Sequence, residues 1–238
     1  GDADADPVDH LIVAEGSRGH DYADLVASAA PEYSVHPRKQ DELAELLYTS
    51  GTTGRPKGVK HTHNNLTTNA FALIRYLEFG QDTVGITVCP CFHVSGLNVT
   101  VTPLVVAEAE NHLLPQWDPE LTLQTMQNRG VTFAMLIPTM ALDLLEHGTG
   151  GYDLSALEAV AVGGAPMPKE RISDFEAATG AKLLEGFGMT ETTPAAAINT
   201  PKQEVYTPGS IGPPMREVVD LRIEDPDTGE EVGVGEKG

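Results

Sequence analysis

Helical segments closed by glycine and followed at once by short apolar runs recur along this chain, and few folds accommodate that repetition. Residues 119–129 open with proline and end at Gly130, directly before Val131-Thr132-Phe133-Ala134-Met135-Leu136-Ile137. Proline suits a first helical turn, and glycine suits the left-handed stop. A second unit runs from strand Ala159–Val162 through the turn Gly163-Gly164 and a helix from Pro168 to Thr179. It stops at Gly180 and re-enters a strand at Lys182–Leu184. Upstream, a helix can start at Asn64 with an Asn cap, carry Leu66, Ala70, Leu73, Ile74 and Leu77 on one face, and stop at Gly80. Leu43–Thr49 and Val59–Thr62 read as strands on either side of a glycine-rich loop. Strands alternating with helices in this way predict an α/β fold of layered, largely parallel sheets flanked by helices.

The pattern changes after Pro213-Pro214. Val218–Ile223, the turn-forming run Asp225-Pro226-Asp227-Thr228-Gly229, and Glu231-Val232 read as a hairpin. The expected division is a remnant of an N-terminal subdomain over 1–42, an α/β core over 43–214, and the start of a small β-subdomain over 215–238. Both ends look cut, so the chain reads as a piece of a longer protein.

Composition narrows the partners. Asp and Glu number 35 against 15 Lys and Arg, a formal charge of −20. A polyanion would be repelled, which excludes nucleic acid as a main partner. The acidic residues are spread along the chain, as expected of a solvated surface in a high-salt cytoplasm. At a Debye length of roughly 3 Å in 1 M salt such self-repulsion is screened, whereas roughly 30 Å at 0.01 M leaves it acting. The melting temperature is therefore expected to rise by several degrees between dilute buffer and molar KCl; a flat melting profile would contradict a halophilic reading. No apolar run is long enough to cross a bilayer. The acidic start Gly1-Asp2-Ala3-Asp4-Ala5-Asp6 is unlike a secretory signal, and the two cysteines, Cys89 and Cys91, are too close for a mutual disulfide. A cytoplasmic location is expected; the oligomeric state is left open, a homodimer included.

The chemistry concentrates in Thr49-Ser50-Gly51-Thr52-Thr53-Gly54-Arg55-Pro56-Lys57-Gly58. Glycines let backbone N–H groups approach an anion, the hydroxyls of Thr49, Ser50, Thr52 and Thr53 add donors, and Lys57 adds positive charge. An ordinary polar loop would not need that density of such residues. A P-loop is ruled out because Pro56 stands at its second glycine position and Gly58 at its Ser/Thr position. Cys89, Cys91 and His93 alternate, and with His61 or His63 a zinc site can be drawn. The paired C-x₂-C spacing of structural zinc is missing, so core thiols are the better reading. His93 as a core histidine and Glu191 as a solvated carboxylate are the plain alternatives to functional roles. Trp117 and Met135 read as core or rim.

The loop closely resembles the phosphate-binding loop of the adenylate-forming superfamily, which includes acyl-CoA synthetases, coumarate ligases, luciferases and peptide-synthetase adenylation domains. Further segments follow in that family's order: Lys60-His61-Thr62-His63-Asn64-Asn65, Pro90-Cys91-Phe92-His93-Val94-Ser95-Gly96, Gly163-Gly164-Ala165-Pro166, Gly186-Phe187-Gly188-Met189-Thr190-Glu191 and Gly209-Ser210-Ile211-Gly212-Pro213-Pro214. Phe187 replaces the usual Tyr, which keeps a stacking ring and loses a hydroxyl.

The resemblance implies that Ser50, Gly51, Thr52, Thr53, Gly54 and Lys57 hold the β- and γ-phosphates of ATP. It implies that Thr190 touches the α-phosphate, that Glu191 binds Mg²⁺, and that His93 orients the acid. Gly163, Gly164, Ala165 and Pro166 with the turn Gly186-Phe187-Gly188-Met189 would form the adenine slot. The implied reaction joins a carboxylic acid, a fatty acid in the first place and an aryl acid as the near alternative, to AMP, with transfer to coenzyme A. No charged residue near 94–97 would pair an amino-acid ammonium, which disfavours a peptide-synthetase domain. The family's ribose-binding Asp and the C-terminal lobe with its adenylation Lys would lie beyond Gly238. A nucleotide-binding module without turnover is the competing reading from another class.

Overall fold

The computed structural model describes residues 12–13, 20–31, 34–51, 54–203 and 206–238, and divides into units 1–38 and 39–238. In the first unit, β1 (Ile12–Val13) and β2 (His20–Asp21) pair in parallel, and α1 (Tyr22–Ser28) follows. The Asp21 carboxylate caps α1 by accepting from the amides of Ala23 and Asp24.

The second unit opens with an antiparallel hairpin of β3 (Leu43–Thr49) and β4 (Lys57–Thr62), in which Thr49 faces Lys57 and Leu47 faces Val59. The glycine-rich loop is the connection of that hairpin. Helix α2 (His63–Leu77) starts two residues earlier than the Asn64 cap predicts. Thr62 is the cap: its hydroxyl accepts from the Asn65 amide at 3.2 Å, while Asn65 Oδ1 accepts from the Thr62 amide at 3.0 Å. The helix ends at Glu78 in the left-handed conformation, so Gly80 is not its stop.

The remaining elements are β5 (Val84–Thr87), α3 (Val94–Gly96), a π-helical turn (Leu97–Val101), α4 (Thr102–Val106), β6 (Glu110–Leu113), α5 (Pro119–Arg129), β7 (Phe133–Leu136), α6 (Pro138–His147), β8 (Ala159–Val162), α7 (Lys169–Thr179), β9 (Lys182–Gly188), a 3₁₀ turn (Thr190–Thr192) and β10 (Ala195–Ile198). Two of the three glycine stops read from the sequence hold: Gly130 and Gly180 close α5 and α7 in the left-handed region. The six-stranded sheet has the order β10-β9-β8-β7-β5-β6, parallel throughout except for β10 at one edge. Every residue of β7, β8 and β10 is buried, which explains their unbroken apolar sequences. Leu73, Leu123, Leu144, Ile172 and Phe175 from the helices fill the core against Ile86, Leu136, Val160 and Leu183 from the strands.

Two expectations are corrected. β9 extends four residues past Leu184, so Gly186-Phe187-Gly188 is the end of a strand paired with β10 and not a turn. Gly186 and Gly188 permit this, because a Cβ at either position would press on the β10 backbone. The C-terminal hairpin is reduced to one antiparallel bridge, Glu224 with Glu231, around a turn in which the Asp225 carboxylate accepts from the Asp227 and Thr228 amides. Val218–Ile223 forms no strand. Its residues are mostly partly or fully exposed, leaving no buried face to hold a sheet. Met215 at the start of this segment is fully buried, and its amide donates to the Ala196 carbonyl at 2.8 Å.

Candidate active site

The parallel strands deliver their carboxyl ends to one side of the sheet, and the chain crosses over between β5 and β7, where the strand order reverses. Ligands of open α/β sheets bind at such edges. A cleft of about 680 Å³ lies there. Its walls are Met135 and Ile137 at the end of β7, Val162, Gly163 and Gly164 after β8, Gly186–Glu191 at the end of β9, and His93–Ser95 beyond β5. The hairpin contributes Thr49, Ser50, Gly51 and Lys57 to the same cleft.

Most residues singled out from the sequence therefore share one cavity. Gly54, Ala165 and Pro166 do not line it, and Thr52 and Thr53 lie outside the described residues. Gly51 adopts φ +64°, and a side chain there would run into the Arg55 carbonyl, so the bend of the loop depends on glycine. Lys57 is exposed, with no ion-pair partner among the described residues, and Glu191 likewise lacks a hydrogen-bond or ion-pair partner among them. An unpaired ammonium and an unpaired carboxylate on one cleft suit a polyphosphate with a hard cation.

His93 is held by its neighbour. Its Nδ1 accepts from the Ser95 amide at 3.1 Å and lies 2.8 Å from Ser95 Oγ. Because Nδ1 is an acceptor, the neutral ring keeps its proton on Nε2, which is then a directed donor for an anionic oxygen. Cys89 and Cys91 do not share a face, since Cys89 is buried and Cys91 exposed. Burial pushes the Cys89 thiol up, and its sulfur points at the Met135 carbonyl, as suits a core residue. Among the described residues no group of three His, Cys, Asp or Glu is gathered as for a metal. Met135 is both core and cleft wall, and Trp117 packs on the core with Nε1 donating to Asp143 at 3.0 Å.

Outside the cleft lining lies a buried network around His61 whose contacts the motif containing it did not announce. His61 is 1% exposed. Its Nε2 is 2.7 Å from the Thr190 carbonyl and its Nδ1 is 3.0 Å from Glu45 Oε2, which also accepts from Asn98 Nδ2 at 2.9 Å. A charged residue within the apolar run of β3 was the available signal for it. On the other side of β9, buried Glu185 accepts from Tyr206 Oη at 3.3 Å, and burial together with that carboxylate pushes the Tyr206 phenol far up.

Comparison with known proteins decides the family. Residues 2–238 match the family described as AMP-binding enzyme. The chain belongs to that family. Among the similar relatives, the long-chain-fatty-acid–CoA ligase of Bacillus subtilis is 34% identical over 93% of the chain and 40% of the relative. Feruloyl-CoA synthase of Amycolatopsis is 33% identical over 83% of the chain and 40% of the relative. In structure the chain is similar to ATP-bound MatB from Rhodopseudomonas palustris, with TM-score 0.78, 33% identity, and coverage of 90% of this chain and 42% of that one. The chain thus spans about two fifths of the length of the relatives it matches. No helix among the described residues is long and apolar enough to cross a membrane.

Proposed function

We propose that this chain is the ATP- and acyl-binding part of an AMP-forming acid–CoA ligase acting on an apolar, in the first place fatty, acid. The observation that carries the reading is the convergence of the phosphate loop, His93 and the Thr190-Glu191 corner on one cleft that apolar side chains also line. Among these are Leu73, Val94, Val99, Ala197 and Ile198. Lys57 is the one Lys or Arg on the cleft among the described residues, so no second Lys or Arg is there to pair a further charge on the acid. Both fatty-acid and feruloyl ligases are among the relatives, and an aryl acid remains the alternative substrate class.

The acid's carboxylate must approach an α-phosphoryl group that is itself anionic, so the barrier is dominated by charge. The His93 Nε2–H would orient the carboxylate and withdraw charge from the oxygen it holds. Backbone N–H groups around Ser50-Gly51 with the Lys57 ammonium would take up charge on the departing pyrophosphate. Glu191 would hold Mg²⁺, which when bound would supply further positive charge against the phosphates. Gly163, Gly164 and Gly186 leave a slot beside Phe187, whose exposed ring is available to stack on a purine. The coenzyme A thiol would then displace AMP from the acyl carbon.

Residues 1–238 alone are expected to bind MgATP with little or no acyl-CoA formation. They cover about two fifths of the relatives' length, and closure of such sites is commonly made by a further mobile part. Calorimetry with MgATP, followed by pyrophosphate exchange over a panel of fatty and aryl acids using a full-length protein carrying this segment, tests the reading. Acid-dependent exchange supports the ligase. ATP binding without exchange for any acid would instead favour a nucleotide-binding module, and robust turnover by 1–238 would overturn the expectation for the piece.

A further inference from the structure

The hairpin that carries the phosphate loop and the corner that carries Glu191 are far apart in sequence, yet both must present groups to one polyphosphate. A single buried side chain joins them. His61 on β4 is fully enclosed, and its Nε2 has the Thr190 carbonyl as partner at 2.7 Å. A carbonyl can only accept, so Nε2 is the donor. The other ring nitrogen faces Glu45 Oε2 at 3.0 Å, and the Glu45 side chain is 12% exposed. A proton lies between that nitrogen and that oxygen whichever group owns it, so the ring cannot flip without losing both bonds. Asn98, 3% exposed and on the π-helical turn just beyond His93, fixes Glu45 from the other side at 2.9 Å.

We propose that His61, oriented by Glu45 and Asn98, is a positioning residue that sets the spacing between the phosphate loop and the Thr190-Glu191 corner. This rests on the reading of Glu191 as the Mg²⁺ carboxylate. His61 touches neither nucleotide nor metal. Its Nε2–H holds the Thr190 backbone, so Glu191, the next residue, meets the cleft at a fixed distance from Ser50, Gly51 and Lys57. The same network reaches Asn98 on the π-helical turn that follows His93 and α3 in the chain.

Two substitutions separate positioning from mere support of the fold. An Asn side chain places its amide near the Nδ1 position, and a Gln side chain can place its amide near Nε2. His61→Asn therefore keeps a partner for Glu45 and releases Thr190, whereas His61→Gln keeps Thr190 and releases Glu45. Each removes one hydrogen bond at a largely enclosed group, Thr190 O in the first variant and one of the two bonds to Glu45 Oε2 in the second, so both are expected to lower the melting temperature. The readout is ATP affinity of residues 1–238 by calorimetry, with Mg²⁺ and with chelator. His61→Asn is expected to lose about ten-fold of the Mg²⁺-dependent gain in affinity, and His61→Gln to stay within about three-fold of wild type. Equal losses in the two variants, or no loss in His61→Asn, would overturn the proposal while leaving the nucleotide reading intact. Wild-type protein with no Mg²⁺-dependent gain would overturn both. Should His61→Asn fail to fold, His61→Gln decides alone: a retained gain supports positioning through Thr190, and a lost gain refutes it.

Discussion

Lys57→Ala is expected to weaken MgATP binding by about ten- to a hundred-fold in calorimetric titration, the equivalent of one charge-assisted contact to phosphate. The melting temperature is expected to stay within about a degree or two of wild type. The two readouts part because of where Lys57 stands. It is exposed at the mouth of the loop, across the hairpin from Thr49, and has no ion-pair partner among the described residues. Removing it leaves no buried group unpaired and no cavity. With a chain charge of −20, this ammonium is also the local exception that lets a polyanion approach. The loss should therefore shrink as salt is raised, which a titration at two KCl concentrations would show. Unchanged affinity would remove the loop from the nucleotide site.

How much of this could be read from the sequence depended on whether a residue's role was local. The loop was legible because phosphate chemistry needs glycine and hydroxyl donors together, and Gly51 meets that need through its own φ. The caps of α5 and α7 were legible for the same reason, since Gly130 and Gly180 act within one turn of chain. The cap of α2 was misplaced because Thr62 and Asn64 are both good capping types, and the choice is made by the reciprocal bonds of Thr62 with Asn65. The short strands β5 and β6 carried no clear alternation: β5 is buried from Gly85 to Thr87, and β6 is an edge strand that includes Asn111 and His112. At the end of β9, glycines at 186 and 188 signal a turn when seen alone. Their meaning here is the closeness of β10, which only the fold supplies. His61 lies in the motif segment 60–65, but its buried role was not legible there, as its two partners come from β3 and the corner after β9, and Asn98, which bonds Glu45, comes from the π-helical turn. Its importance is set by topology.

That closeness of β9 and β10 makes Gly188→Ala a strongly destabilising substitution. Gly188 stands opposite Ala195, and an added Cβ would overlap the Pro194 carbonyl while lying 3.2 Å from the Ala195 Cα. Both obstacles are backbone, so no side chain can swing aside. Relief requires residues 193–195 to move off β9, which disturbs the bond from the Met189 amide to the Pro194 carbonyl at 3.1 Å and the buried packing of β10. Overpacking of this kind costs about 3 kcal/mol or somewhat more, a fall on the order of 10 °C in melting temperature for a chain of this size. Gly150 is the control, because a Cβ there meets nothing within 4 Å, and Gly150→Ala is expected to melt as wild type does. Since Thr190 and Glu191 lie on the segment joining the two strands, the strain in Gly188→Ala also reaches the site. MgATP affinity, measured well below the melting transition, is expected to fall by about ten-fold or more in this variant and to be unchanged in the control. A Gly188→Ala protein that melted within a degree of wild type would mean that the two strands can separate without consequence. The corner bearing Glu191 would then need some other anchor than the sheet.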